Sequence, residues 1–280
     1  MLHEKCVECF LSNYKRLFAK YNVEETKQRV FLTFFNETMG KFSSLTSPEI
    51  QRILNNTFCK IIGVTDPFAE EKVDNNRVAL ELYSEWKPKV DGSKNPFDLA
   101  LRLAIAGNIM DYGANRTFDI YKTIEQVLQA KFALDKSALL KTRIGEAKRI
   151  LYLGDNAGEI VFDRLFIETI NHSNVTFAVK GGPILNDVTI KDAEQAEIGR
   201  TAKIVSNGYD APSTVLSRCS KEFQKIFGES DLIISKGQGN LEGLVDQNDS
   251  RIFFLLTVKC DVISELLNVP QGSFVVHNFE

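Results

Sequence analysis

Histidine, cysteine and excess basic charge are all scarce in this chain. Only three histidines occur in 280 residues, and neither His172 nor His277 sits in a recognisable catalytic motif, which argues against a serine or cysteine triad. The five cysteines, Cys6, Cys9, Cys59, Cys219 and Cys260, are few and odd in number. They fit a reducing compartment better than a secreted disulfide framework. Lys and Arg total 34 against 37 Asp and Glu, for a net charge of −3. No long basic run is present, so nucleic acid is a poor candidate partner. The most apolar late stretch, Ile252 to Val258, falls far short of the ~20 residues a membrane helix needs. The N-terminus, MLHEKCVECFLSNYKRLF, mixes charges among apolar residues and has no signal-peptide core. A cytoplasmic protein without a membrane or nucleic-acid partner is expected. Internal repeats, low-complexity segments and a Pro/Gly-rich linker are also missing.

What is present divides by rhythm. With 44% hydrophobic residues the chain can bury a large core, and its length suggests two domains or one large one. Up to about residue 147 the apolar spacing is helical: Val7, Phe10, Leu11, Tyr14, Leu17 and Phe18 form one stripe. PEIQRILNNTFCKIIGV opens with a proline suited to a first helical turn. NNRVALELYSEWKPKV continues the pattern until Pro88; NPFDLALRLAIAGNIMDYG and FDIYKTIEQVLQAKFALD follow. From residue 148 short apolar runs alternate with helix-like links. RILYL, NVTFAV, AKIVS, DLIIS, RIFFLLTV and SFVVH read as six strands of a sheet covered on both faces. VFDRLFIETI, IKDAEQAEI, STVLSRCSKEFQKIF and DVISELL read as the links. The expected architecture is a helical domain, 1–147, packed on a Rossmann-like three-layer α/β/α domain, 148–280, with a mainly parallel sheet.

In a parallel sheet, ligands bind beyond the carboxyl ends of the strands. The unusual residues collect there: GDNAGE, KGGPILNDVT, SNGYD and SKGQGNLEG follow the first four strands. Asp155, Asn156 and Asp187 offer hard oxygen ligands from two loops, suited to Mg²⁺, Mn²⁺ or a related divalent ion. Lys236 and Lys180, in glycine-rich turns, can supply positive charge to an anion. Backbone N–H groups at Gly158, Gly182, Gly237 and Gly239 can approach an anion closely. Plainer readings stand beside these. Asn156 can N-cap the next helix with Glu159 as its capping-box partner, and Asn186 or Asp187 can cap the helix after theirs. SKGQGN can be a flexible turn. Gly107, Asn108 and Asp111 interrupt an apolar helix, as either a helix end or a polar patch facing the interdomain cleft. His3, Cys6 and Cys9 look like half a zinc site, yet no second half follows, and Cys9 beside Phe10 also suits a small core residue.

The early CxxC, AGNIMDYG, GDNAGEIVFD, KGGPILNDVT and SKGQGN together resemble the DUF89, or ARMT1-like, family, in order over nearly the whole chain. They are most similar to its stand-alone prokaryotic branch. The resemblance implies a metal-dependent phosphatase acting on small phosphorylated metabolites, such as sugar phosphates or damaged phosphometabolites. The cofactor would be a divalent ion: Mg²⁺, Mn²⁺, Co²⁺ or Ni²⁺. By motif position Asp155, Asn156 and Asp187 take the metal and Lys236 the phosphate. Asn108, Asp111, Glu159 and Asn240 line the substrate pocket with the glycines named above. Asp155 is either a nucleophile or the group that orients water. The alternatives are an S-adenosylmethionine-dependent carboxyl methyltransferase, although GDNAGE lacks G-x-G-x-x-G, and a non-catalytic phosphometabolite-binding protein.

Overall fold

A computed structural model describes residues 3–41, 45–107 and 120–279. Six helices come first: α1 (Glu4–Lys20), α2 (Glu25–Lys41), α3 (Ser47–Ile62), α4 (Ala69–Asp91), α5 (Pro96–Ala106) and α6 (Ile120–Gln129). There follow β1 (Leu134–Asp135), α7 (Ser137–Glu146), β2 (Ile150–Leu153), α8 (Glu159–Ile170), β3 (Val175–Val179), α9 (Ile190–Gln195) and β4 (Lys203–Ser206). The chain ends with α10 (Lys221–Glu229), β5 (Leu232–Lys236), α11 (Gly237–Leu244), β6 (Ile252–Thr257), α12 (Asp261–Leu267) and β7 (Phe274–His277).

Among the described residues the strands form one seven-stranded sheet in the order β1-β7-β6-β5-β2-β3-β4. All neighbours are parallel except β6 and β7. From β2 the chain winds outward through β3 to β4, then returns to β5 on the other side of β2 and continues to β6. The reversal opens a crevice beyond the ends of β2 and β5.

Alternate strand residues point to opposite faces, and each face has its own core. Ile150, Tyr152, Phe177, Ile234 and Phe253 pack with α4, α5 and α8. Leu151, Leu153, Ile233, Phe254 and Leu256 pack with α10, α11 and α12. The three-layer Rossmann-like arrangement is therefore the observed one. A third core, built on Phe10, Tyr14, Phe18, Phe31, Phe35 and Phe58, joins α1, α2 and α3. Helices α4 and α5 thus share the sheet's core, although their sequence rhythm belongs with the N-terminal half.

Several local expectations change. The fifth helical segment stops at Gln129, and Leu134–Asp135 pairs in parallel with Val275–Val276. Two residues carry too little periodicity to register as a strand; a sheet edge recruited them. Pro88 does not end α4, which runs to Asp91 and closes with Gly92 N–H donating to the Pro88 carbonyl. In the last turn a proline forfeits only one helical N–H, so the helix survives it. Helices α2 and α7 are additional. SKGQGN is no loose turn: its residues finish β5 and begin α11. Helix α10 starts only at Lys221, where the Ser220 hydroxyl accepts from Phe223 N–H. Among the described residues no helix is long and apolar enough to cross a membrane.

Helix α5 matters most for the site, because it packs against α8, whose N-terminus is the last residue of GDNAGE. Asn95 caps α5, Pro96 opens it, and Leu101, Leu103, Ala104 and Ile105 are fully buried. Leu101→Ala should lower unfolding stability by about 2–5 kcal/mol, the usual cost of a large-to-small change in a packed core. Urea denaturation followed by circular dichroism checks this, and a loss under ~1 kcal/mol would contradict the packing described.

Candidate active site at the carboxyl edge of the sheet

Leaving β2, the chain passes Gly154, whose Cα faces the Phe177 ring so closely that a Cβ there would overlap it. Asp155 and Asn156 follow, and Gly158 turns the chain into α8 at φ 83°. The turn pairs with the segment after β3: Val188 N–H donates to the Asp155 carbonyl (2.9 Å) and Ala157 N–H to the Asn186 carbonyl (3.1 Å). Asn156 and Asp187 thereby form an antiparallel bridge. The three predicted metal ligands, Asp155, Asn156 and Asp187, are brought together and are all buried.

The helix-capping alternatives do not hold. The cap of α8 is Gly158, and that of α9 is Thr189, whose N–H and Oγ1 both donate to the Asp192 carboxylate. The Asn156 Nδ2 instead donates to Asp155 Oδ2 (2.8 Å) and Glu159 Oε2 (3.3 Å). Gly237, at the start of α11, has φ 77°, and a Cβ on it would collide with the Asp155 carboxylate. Only glycine meets both demands, which explains the KG step between β5 and α11.

The two lysines are placed differently from the expectation. Lys236 is fully buried, and its Nζ donates to Glu159 Oε1 (2.6 Å), Asp163 Oδ1 (2.6 Å) and the Ala104 carbonyl (2.8 Å). All three ammonium protons have protein acceptors, so Lys236 ties β5 to α8 and α5. Lys180, 2% exposed, donates to Asn240 Oδ1 (2.9 Å) and lies 3.5 Å from Asp187 Oδ2.

Asn240 is likewise a hub. Its Nδ2 donates to the Gly154 and Lys236 carbonyls, and its Oδ1 accepts from Lys180 and from Thr214 Oγ1. With four partners it has none left for a substrate. Gly158 N–H is committed to Asn76 Oδ1 (2.7 Å). Gly239 backs onto the Pro212 carbonyl, and Gly182 lies against Asp210. Asn108 and Asp111 lie outside the described residues. Gly107, just before them, approaches Glu159 so closely that a Cβ would come within 3.1 Å of its Cα.

Electrostatics single out this corner. Burial, then the Glu159 and Asp187 carboxylates, push the Asp155 carboxyl well above its usual range, with Lys180 and Lys259 opposing them. Burial also raises Asp163 to about 7, as Lys236 pulls it down and Glu159 pushes it up. Asp163 Oδ1 accepts from Tyr152 OH at 2.8 Å, while its Oδ2 has no hydrogen-bond partner among the described residues. Lys259, beyond the end of β6, was not among the sequence candidates. Its one signal was position: it follows a strand at the same sheet edge. It is only half-buried, in contrast to Lys180 and Lys236.

Among the described residues no three or more His, Cys, Asp or Glu side chains are placed to hold a metal ion by themselves. Cys9 is exposed rather than a core residue, and His3 caps α1 by accepting from Lys5 N–H. Asp155, Asn156 and Asp187 nonetheless fit a hard divalent cation. Four buried carboxylates, Asp155, Glu159, Asp163 and Asp187, face two buried ammonium groups, Lys180 and Lys236. That surplus of negative charge is what a divalent ion offsets.

Comparison with known proteins gives the family and supports the fold. Residues 2–275 match the family model described as the damage-control phosphatase ARMT1-like domain. The chain belongs to this family. Damage-control phosphatase PH1575 of Pyrococcus horikoshii is 39% identical over 220 residues, 77% of this chain and 76% of the relative. A damage-control phosphatase of Archaeoglobus fulgidus is 35% identical over 221 residues, 77% of each chain. The crystal structure of the DUF89 family protein ph1575 superposes with a TM-score of 0.92 at 31% identity, covering 100% of this chain and 99% of that one. This ARMT1-like chain thus carries its family's fold from end to end.

The Asp163 shift has a sign. Its folded value, about 7, lies above the ordinary 3.8, so the folded chain holds the extra proton. Its contribution to stability is complete below about pH 4 and is lost as pH rises through about 7. Asp163→Asn should therefore flatten the fall of Tm with pH across that window relative to the unaltered chain. Melting curves of both proteins at a series of pH values check it; parallel curves would refute it.

Proposed function

We propose that this chain is a divalent-metal-dependent phosphatase that hydrolyses phosphate monoesters of small metabolites. Asp155, Asn156 and Asp187 hold the ion, which would be Mg²⁺, Mn²⁺, Co²⁺ or Ni²⁺. The observation that carries the reading is the burial of Asp155 and Asp187 on two loops hydrogen-bonded to each other, in a corner where carboxylates outnumber ammonium groups. The names of the relatives, damage-control phosphatases from two archaea, support the phosphatase chemistry. A bound divalent ion supplies Lewis acidity and offsets charge on a phosphoryl group.

The chain's own residues divide the remaining work. Asp155 and Asp187 fix negative charge where only a cation makes a phosphate welcome. Asn156 steers the Asp155 carboxylate through its 2.8 Å hydrogen bond. Lys236 holds Glu159 and Asp163 from beneath, so that α8 begins in one place. Lys259, half-buried after β6 at the same sheet edge and close enough to lower the Asp155 carboxyl, is offered as a cation for the substrate phosphate. It takes the role that motif position alone gave to Lys236. The phosphometabolite is the partner.

Strict chelation should abolish phosphate release from a panel of sugar phosphates and related monoesters, and added Mg²⁺, Mn²⁺, Co²⁺ or Ni²⁺ should restore it. Asp187→Ala should reduce release to background while circular dichroism shows an intact fold. Hydrolysis that survives metal removal would sink the reading, and metal-dependent binding without phosphate release would favour a sensor. Lys259→Met should raise KM about 10- to 100-fold with a smaller change in kcat, the cost of one hydrogen bond to a charged group. Steady-state kinetics check this, and an unchanged KM would remove Lys259 from the phosphate site.

A further inference from the structure

Two helices begin directly after the ligand-bearing loops, and one side chain from the N-terminal half grips both beginnings. Asn76 lies on α4 and is fully buried. Its Oδ1 accepts from Gly158 N–H (2.7 Å), at the cap of α8. Its Nδ2 donates to the Asp192 carbonyl (3.1 Å) and to Gln195 Oε1 (3.3 Å), both on α9. The Asp192 carboxylate in turn holds Thr189 N–H and Oγ1, a few residues after Asp187. A single amide thus spans from the Asp155–Asn156 turn to the Asp187 turn.

We infer that Asn76 is a positioning residue that sets the separation of these two turns for cation binding. The inference rests on the metal reading under Proposed function. Gly158 has the loosest backbone of any residue type, and its φ of 83° persists only while something fixes it. The Asn76 carbonyl does so by accepting the one backbone proton at that point. If that acceptor is lost, a buried N–H must find another partner, and the turn moves to reach it. The two turns meet at the narrow Asn156–Asp187 bridge, so movement at Gly158 passes directly to the ligands. Such outer-shell contacts govern metal affinity while touching no metal.

Lys72 supplies the internal control. It lies one helical turn earlier on the same face of α4 and is 1% exposed. Its Nζ reaches Asp66 Oδ2 (2.6 Å) and Asp192 Oδ2 (3.1 Å). It therefore ties α4 to α9 with no bond to Gly158.

The test measures Mn²⁺ affinity of the metal-free full chain by calorimetry, with melting curves alongside, for the unaltered chain, Asn76→Ala and Lys72→Met. Asn76→Ala should raise the Mn²⁺ Kd about 10- to 100-fold at a temperature where it remains folded. Its lost phosphatase activity should return at saturating Mn²⁺ with an unchanged KM for substrate. Lys72→Met, which loosens Asp192 but leaves Gly158 held, should lower Tm at least as much yet raise Kd clearly less than Asn76→Ala. A normal Kd in Asn76→Ala, or an equal rise in both variants, overturns the inference by reducing Asn76 to a packing contact. Should Asn76→Ala fail to fold, Asn76→Ser, too short to span both partners, must show the same rise, and a normal Kd there overturns it equally. An unaltered chain that takes up none of Mg²⁺, Mn²⁺, Co²⁺ and Ni²⁺ overturns the metal reading and this inference with it, an outcome distinct from normal binding in the variants.

Discussion

Buried charge of one sign, held at the carboxyl edge of the sheet, is the constraint on which the rest of this structure depends. Asp155, Glu159, Asp163 and Asp187 are all withdrawn from water, against the ammonium groups of Lys180 and Lys236. Ions taken out of water cost several kcal/mol each unless paired and hydrogen-bonded. The neighbouring segments accordingly present partners: Tyr152 to Asp163, Asn156 to Asp155 and Glu159, and Asn240 to Lys180. The arrangement is stable enough to form, yet burial and the crowding of its carboxyl groups push Asp155 and Asp163 up. Structural and chemical demands meet in the same atoms.

Lys236 shows how the layers are tied. From the last position of β5 its ammonium reaches α8 through Glu159 and Asp163, and α5 through the Ala104 carbonyl. Strand, covering helix and N-terminal-half helix therefore converge on one nitrogen. Glycine permits the close packing around it: Gly107 brings α5 onto Glu159, and Gly237 lets Asp155 lie against α11. A lysine in a KGQGN motif reads as an anion ligand from sequence, but here its protons are already spent.

The N-terminal half is part of the site's construction. Helix α4 sends Lys72 and Asn76 down to α9 and to the turn before α8. Helix α3 sends Arg52 and Asn56 onto Asp210, in the loop after β4. Helix α5 packs its apolar face on α8. Only α1, α2 and α3 keep a hydrophobic core of their own, closed by tilted and edge-on aromatic pairs such as Tyr14–Phe31 and Phe31–Phe58.

The sequence by itself determined the class of fold, the six longer strands and the identity of the turns that gather at one edge. Those features follow from local periodicity and from the rule that ligands meet parallel sheets at their carboxyl ends. It also pointed to Asp155, Asn156 and Asp187, which the structure brings together, because they had no apolar reason to stand where they do. What it left open was every property set by contact across long separations in the chain. Asn156 as a cap was equally sensible until Gly158 proved to be the cap. Lys236 and Asn240 were sensible ligands until their partners, 132 and 86 residues away in the longest cases, claimed their hydrogen-bonding groups. Lys259 and Asn76 had no motif to announce them. One matters through the sheet edge it follows and the other through the two helix starts it joins. A motif records residue types at fixed spacing, whereas the role of a polar side chain depends on which partners have already used its protons and lone pairs. Only the tertiary structure decides that.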